Sequence, residues 1–265
     1  MTASQEAVGG RALLLHAHPG HELRLFHWME QHKPTLFLLS DGSGSGAPRT
    51  HHSLETALRA GARAGAVFGL ATDLDWYSAI LAADRKLFDK AISETVQAAI
   101  ARDCALIVSD AVDGYNPMHD LCEVIAASAV LALKRSGRSI RHLVVRAASG
   151  GNDDDLVAEI QLDEQGRRRK QAAIDAYTLL AEEARRLLDE DPGALSLEQL
   201  RRPTFAWDAD WSPSWEGIGA SRVAASKYAQ RIEYARHVRP LALALLGEGP
   251  AIEAVESGER LDCAY

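Results

Sequence analysis

An apolar run, Leu13-Leu14-Leu15, ends abruptly in His16-Ala17-His18-Pro19-Gly20-His21-Glu22. Imidazole is a common zinc ligand, and His18 and His21, three residues apart around a tight turn, can converge on one ion. Much further along, a second apolar run, Ala105 to Asp110, leads through Asp113-Gly114-Tyr115-Asn116-Pro117-Met118 to His119, ahead of an apolar helix. His18, His21 and His119 form a three-ligand set that leaves a fourth position open for water, as catalytic zinc requires. Three neutral imidazoles leave the ion's double charge uncompensated, and such sites bring bound water to a pKa of about 7. Hydroxide could then form near neutral pH without a dedicated carboxylate base. A leaving group still needs an acid, and the nearby candidates are Glu22, Asp113 and Asp120, with Asp113 favoured by its place on the approach to His119. Glu22 also reads as an acid stabilising the start of the helix that follows it.

The residues around these loops set the scaffold. The first apolar run is short and is stopped by Pro19 and Gly20, which favours a buried parallel strand over a helix. Ligands of open α/β sheets gather beyond the carboxyl ends of such strands, where His18 and His21 would stand. Thr35 to Leu39 reads as a second strand, Ser53 to Gly65 and Ser93 to Ala101 as helices, Leu106 onward as a strand, Asp120 to Lys134 as a long helix and Arg141 to Arg146 as a later strand. Asp163 to Gly166 reads as a turn, Gln171 to Asp189 as an amphipathic helix and Ser221 to Leu245 as a last helix, with His237 near an end before Pro240. The pattern predicts an α/β fold: a Rossmann-like open, mostly parallel sheet with helices on both faces and a helical and irregular C-terminal elaboration over about 200–265. No low-complexity linker divides the chain, so residues 1–265 are read as one domain.

With these residues in view, the chain resembles the zinc-dependent N-acetylglucosaminyl deacetylases, the LmbE-like or PIG-L-like family. The first loop of that family reads Ala-His-Pro-Asp-Asp-Glu, matched here by Ala17-His18-Pro19-Gly20-His21-Glu22. The second reads His-Pro-Asp-His, matched by Asn116-Pro117-Met118-His119. Between them, Leu38 to Gly46 with Arg49 and Leu54-Glu55 resembles the family's second strand, glycine turn and Arg/Glu-bearing helix, and Arg169 to Tyr177 resembles its late lysine-and-alanine helix. The resemblance implies His18, His21 and His119 as ligands of zinc or another divalent transition metal, with a histidine at 21 where the family has an aspartate. It places Gly20 where the family's general base stands, and Asn116, a hydrogen-bond donor without a titratable proton, where a histidine assists the charged intermediate. The activity implied is that of a metal-dependent amide hydrolase deacetylating an N-acetylated amino sugar or sugar-linked metabolite through a zinc-bound hydroxide. The loss of the aspartate keeps two alternatives open: a non-catalytic ligand-binding protein on the same fold, and a metalloenzyme of another reaction type, since three histidines also suit iron or copper.

Other residues carry weaker signals. Arg49 offers a rigid fork of donors for a sugar hydroxyl or phosphate, or a surface salt bridge. Asn116 and Trp211 are further substrate-binding candidates; Trp207, Trp211 and Trp215 lie in an irregular, acid-bearing segment and suit either a sugar-lining wall or anchors for a loop. His16 alternates with His18 along the strand end and reads as a supporting or packed residue. His51 and His52 are loop or substrate residues opening a helix. The Asp153-Asp154-Asp155 run lacks the spaced ligands of a calcium loop. A formal net charge of −8 argues against a nucleic-acid partner and leaves a small-molecule substrate. Cys104, Cys122 and Cys263 read as free thiols of a reducing compartment, and Met1 to Gly10 lacks the features of a signal peptide. No run is long enough to span a bilayer, so the expectation is a soluble, cytoplasmic protein.

Overall fold

A computed structural model describes residues 11–146, 153–178, 192–226 and 228–248. Its centre is a seven-stranded sheet in the order β3-β2-β1-β4-β5-β7-β6. The strands are β1 (Ala12–His16), β2 (Thr35–Ser40), β3 (Arg63–Ala71), β4 (Leu106–Asp110), β5 (Arg141–Val145), β6 (Leu156–Gln161) and β7 (Leu197–Arg201). β1 to β5 run parallel, with Leu15 beside both Phe37 and Ser109, and β7 and β6 extend the sheet antiparallel beyond β5. This is the mostly parallel α/β fold predicted above.

Every residue of β1, β2 and β4 is buried, as expected of strands covered on both faces. Alternate residues serve different sides. Leu13, Leu15, Phe37 and Ile107 pack with Trp76, Phe88, Leu121 and Ile125 on one face. Leu14, Leu36, Leu38, Leu106 and Val108 pack with Phe26, Trp28, Ile174 and Tyr177 on the other. The helices that supply these partners are α1 (Phe26–His32), α2 (Thr50–Arg59), α3 (Asp73–Ala82), α4 (Lys86–Ala101), α5 (Pro117–Arg135) and α6 (Glu164–Ala176). α7 (Ser214–Ala224) and α8 (Arg239–Glu248) belong to the C-terminal part. No helix of the described residues is long and apolar enough to cross a membrane.

Several expected elements are corrected. The helix read over Ser53 to Gly65 is α2 followed by β3, whose Ala- and Gly-rich, half-exposed sequence gives a weak strand pattern. α3 has no counterpart in the sequence reading; Thr72 caps it, accepting from Asp75 N while the Asp75 side chain accepts from Thr72 N. α4 starts at Lys86, earlier than Ser93. α5 starts at Pro117 rather than Asp120, because Asn116 Oδ1 accepts from Met118 N and Pro117 needs no donor in the first turn. The Asp163 to Gly166 turn is the start of α6, with Asp163 Oδ1 accepting from Gly166 N at 2.6 Å. α6 ends at Ala176, and the rest of the helix expected to Asp189 lies largely outside the described residues, as do Cys263 and Gly150 to Asn152. The Ser221 to Leu245 helix is broken: α7 stops at Ala224, a π-helical turn spans Tyr234–Val238 and α8 follows, with Pro240 tolerated in its first turn. His237 lies in that π turn, its Nδ1 accepting from Glu233 N at 2.9 Å.

Candidate metal centre

The order of the strands reverses between β1 and β4, and the crevice beyond their carboxyl ends is where such sheets place ligands. His16 ends β1 and His18 and His21 follow it, Ser40 ends β2, Asp73 opens α3 after β3, and the segment from Asp110 to His119 leads out of β4. The loop after β1 turns at Gly20, whose φ of 104° lies in the left-handed region. Glycine reaches that conformation without steric cost, so this backbone favours Gly20 independently of the chemistry an aspartate would bring.

The three histidines of the two loops come together. Ring centroids are 5.6 Å apart for His18 and His21, 5.2 Å for His18 and His119, and 4.6 Å for His21 and His119. Three imidazoles on one tetrahedral zinc, with Zn–N of about 2.1 Å, place their centroids about 5 Å apart. Behind each ring stands an oxygen on Nδ1. His21 Nδ1 is 2.8 Å from Asp110 Oδ2, His119 Nδ1 is 2.8 Å from Asp113 Oδ2, and His18 Nδ1 is 2.9 Å from Ser40 Oγ and 3.1 Å from Asp73 Oδ1. An ionised carboxylate only accepts, so the proton of His21 and of His119 belongs on Nδ1, which leaves Nε2 with a free lone pair. His18 Nε2 and His16 Nε2 are both buried without any hydrogen-bond partner, orphaned acceptors of the kind a metal would satisfy. The chemistry of these donors suits a divalent transition metal, while the described residues whose candidate ligand atoms lie within 4.8 Å of one another are His16, His21 and Asp110.

The electrostatics favour a neutral His21 beside an ionised Asp110. Burial is the largest influence on His21 and holds its pKa well below the ordinary imidazole value despite Asp110, so the ring is neutral. Burial alone would raise Asp110, but His21 and His16 beside it prevail and hold the carboxyl well below the usual range. Burial is likewise overcome at Asp73, where His18 and the Gly44 N–H lower the carboxyl to about 2. His16 is fully buried with Nδ1 2.7 Å from Asp110 Oδ1, the supporting position that its alternation with His18 suggests.

The remaining candidates divide by what their polar atoms already do. Asp113 accepts from Tyr115 N at 2.8 Å and holds His119 Nδ1, so it is committed to positioning. Asp120 takes Asp113 N and Gly114 N, each at 3.0 Å, on one oxygen and Trp215 Nε1 at 2.8 Å on the other. Burial and the charge of Asp113 push its carboxyl to about 7. Glu22 is fully buried; Oε2 accepts from Gly20 N at 2.8 Å, Oε1 has no partner, and burial raises the carboxyl above its usual value. Asn116 spends Oδ1 on Met118 N and stands 3.4 Å from Tyr77 Oη, which leaves Nδ2 as its spare donor. Arg49 Nε donates to Gly42 O at 3.1 Å and braces the glycine turn. Trp211 packs edge-on against Phe205 and Tyr234 and lies over Gly114, beside a cavity of about 490 Å³ also lined by Phe205, Glu123 and Asp208. Trp215 is an anchor, through Asp120 and through its N–H to Gly114 O at 3.0 Å. His51 and His52 stack on each other at 4.0 Å, and His52 on Tyr177 at 4.8 Å. Cys104 and Cys122 are free thiols.

No family model matches the chain, and no curated protein matches it in sequence. Among solved structures, the fold is similar to the conserved protein TT1542 from Thermus thermophilus, with a TM-score of 0.50 and 17% identity over 77% of this chain and 99% of that one. The A40926 pseudoaglycone deacetylase Dbv21 aligns with a TM-score of 0.47 and 16% identity, over 72% of this chain and 96% of that chain. A deacetylase triple mutant (Orf2*T) of the teicoplanin biosynthetic pathway aligns with a TM-score of 0.45 and 11% identity, over 74% of this chain and 100% of that chain. At 17% identity, the likeness to the first of these speaks to the α/β fold alone.

Proposed function

We propose that the chain is a metal-dependent amide hydrolase that removes an acyl group from an N-acylated amino sugar or a sugar-linked metabolite. The observation that carries this reading is the set of three rings with occupied Nδ1 atoms, His18, His21 and His119, whose centroids lie 4.6 to 5.6 Å apart. The motif resemblance of the two loops supports the amide as substrate. A zinc ion bound there supplies a Lewis acid that polarises the amide carbonyl and acidifies water.

The residues of the chain then divide the remaining work. His18, His21 and His119 would hold the ion, with Asp110, Asp113 and the Ser40 and Asp73 pair fixing the orientation of their rings. Asn116 Nδ2, freed by the helix-capping role of Oδ1, donates a hydrogen bond to the developing oxyanion. Glu22 handles the proton. Its carboxyl is bonded to the N–H of Gly20, the residue standing where the resembled family carries its base, and its free Oε1, with burial raising the carboxyl above its usual value, suits a group that takes and returns a proton. Asp113 is assigned to positioning instead.

The test is release of free amine from N-acetylglucosamine and related N-acetyl amino sugars by the full chain, loaded with zinc or stripped by chelator. Zinc-dependent release that falls at least about a hundredfold in Glu22→Gln, with zinc retained, is the expected outcome. A zinc-loaded protein inert towards the whole panel would favour the ligand-binding alternative, which the glycine at position 20 also suits.

A further inference from the structure

The geometry points to Asp110 as a positioning residue that returns, one imidazole further out, the negative charge lost from the metal's own ligand set. The inference rests on the metal-hydrolase reading above. Position 21 carries a neutral imidazole where the resembled family has a carboxylate ligand. Behind that imidazole stands Asp110, at the end of β4, with 2% of its surface exposed. Its Oδ2 accepts from His21 Nδ1 at 2.8 Å and from Ala17 N at 2.7 Å, and its Oδ1 from His16 Nδ1 at 2.7 Å.

Each contact has a consequence for the ion. The bond to His21 fixes the tautomer, keeps Nε2 unprotonated and makes that nitrogen a stronger donor. His16 holds the other oxygen, Oδ1, and the Ala17 N–H shares Oδ2 with His21, so the carboxylate cannot rotate away from His21. His16 is thereby explained as the lock on Asp110. The inner set is all nitrogen, which suits zinc, cobalt, nickel or copper better than magnesium or calcium.

The grouping of His16, His21 and Asp110, with one candidate ligand atom each within 4.8 Å of one another, could itself hold an ion. That closeness is accounted for by the hydrogen bonds just described. An ion there would displace the donors from Asp110 and leave the Ala17 N–H unpaired in a buried setting, which is costly.

Zinc affinity of the full chain, measured by competition with a chromogenic chelator, and the visible spectrum of the cobalt-substituted protein test the assignment. Asp110→Asn is expected to weaken zinc binding about 10- to 100-fold, and His16→Gln by a smaller factor, with both variants altering the cobalt ligand-field bands. His119→Ala is expected to abolish binding. If Asp110→Asn fails to fold, His16→Gln alone decides through the same two readouts. Affinity and spectrum unchanged in the folded variants would overturn the inference while leaving the metal reading intact. Loss of binding in His16→Gln with retention in His119→Ala would move the ion to the other grouping and overturn it as well. A wild-type chain that binds neither zinc nor cobalt would sink both readings together.

Discussion

Lys170 is nearly fully buried on α6, and its Nζ donates to Glu198 Oε1 at 2.9 Å and to Arg24 O at 3.0 Å. Glu198 is equally enclosed and also accepts from His27 N at 3.0 Å and Trp28 N at 2.8 Å. The pair thus ties α6 and β7 to the 3₁₀ turn His21–Leu25 and to the first turn of α1, the segment leading out of the loop that carries His18 and His21. Lys170→Met keeps most of the apolar stem but leaves the Glu198 carboxylate with two backbone donors and no counter-charge. Removing one partner of a buried ion pair costs about 3–5 kcal/mol, against a total stability of about 5–15 kcal/mol for a typical domain. In the double variant Lys170→Met/Glu198→Gln no buried charge remains, and the single amide oxygen keeps one of the two backbone donors that the carboxylate takes on separate oxygens. About half of the loss, on the order of 2 kcal/mol, should return. Urea unfolding of the wild type and the Lys170→Met, Glu198→Gln and double variants, followed by circular dichroism and with equal slopes throughout, measures both numbers. A Lys170→Met loss below about 1 kcal/mol, or a double variant as unstable as the sum of the singles, would refute the argument that the pair is held as a buried unit.

Single contacts supply further tests. A Cβ on Gly65 would lie 1.8 Å from Phe37 Cε1 and 2.9 Å from Thr35 Cγ2, so Gly65→Ala should lower stability by about 1–3 kcal/mol in the same urea assay, and an unchanged midpoint would contradict the packing of β3 on β2. Burial, with a smaller push from Lys134, lowers His142 to about 4 from an ordinary 6.5. The unfolded chain therefore takes up a proton that the folded chain refuses between those values. The contribution is complete above about pH 6.5 and is lost as the pH falls towards about 4, by at most about 3 kcal/mol. His142→Gln, able to keep the contact with Ser109 Oγ, should flatten the stability profile over that window; a profile as steep as that of the wild type would contradict it.

The parts of the account visible in the sequence are those written in short, local patterns. The apolar runs of β1 and β4 end in histidine-bearing loops, and a parallel sheet brings such ends side by side, so the three rings can be grouped from sequence alone. The oxygens behind them are harder to find. Asp73 follows the half-exposed β3, and Asp110 looks like the last residue of an ordinary strand; their roles depend on the strand order, which no local pattern states. Asp113 stands out for its place before His119, but as an acid; only the 2.8 Å contact with Nδ1 shows it occupied. Trp211 and Trp215 look alike in sequence and differ through their partners, an aromatic cluster for one and the Asp120 carboxyl for the other. The antiparallel pair β6 and β7 carries charged residues such as Glu159, Glu198 and Arg201, which hide it from a search for apolar strands.

Elemental analysis of the purified full chain, beside a His18→Ala/His119→Ala variant shown to be folded, tests the central claim most directly. The account predicts about one zinc or similar transition-metal ion per chain in the wild type and none in the variant. Metal absent from the wild type even after incubation with zinc, or equally abundant in the variant, would contradict it.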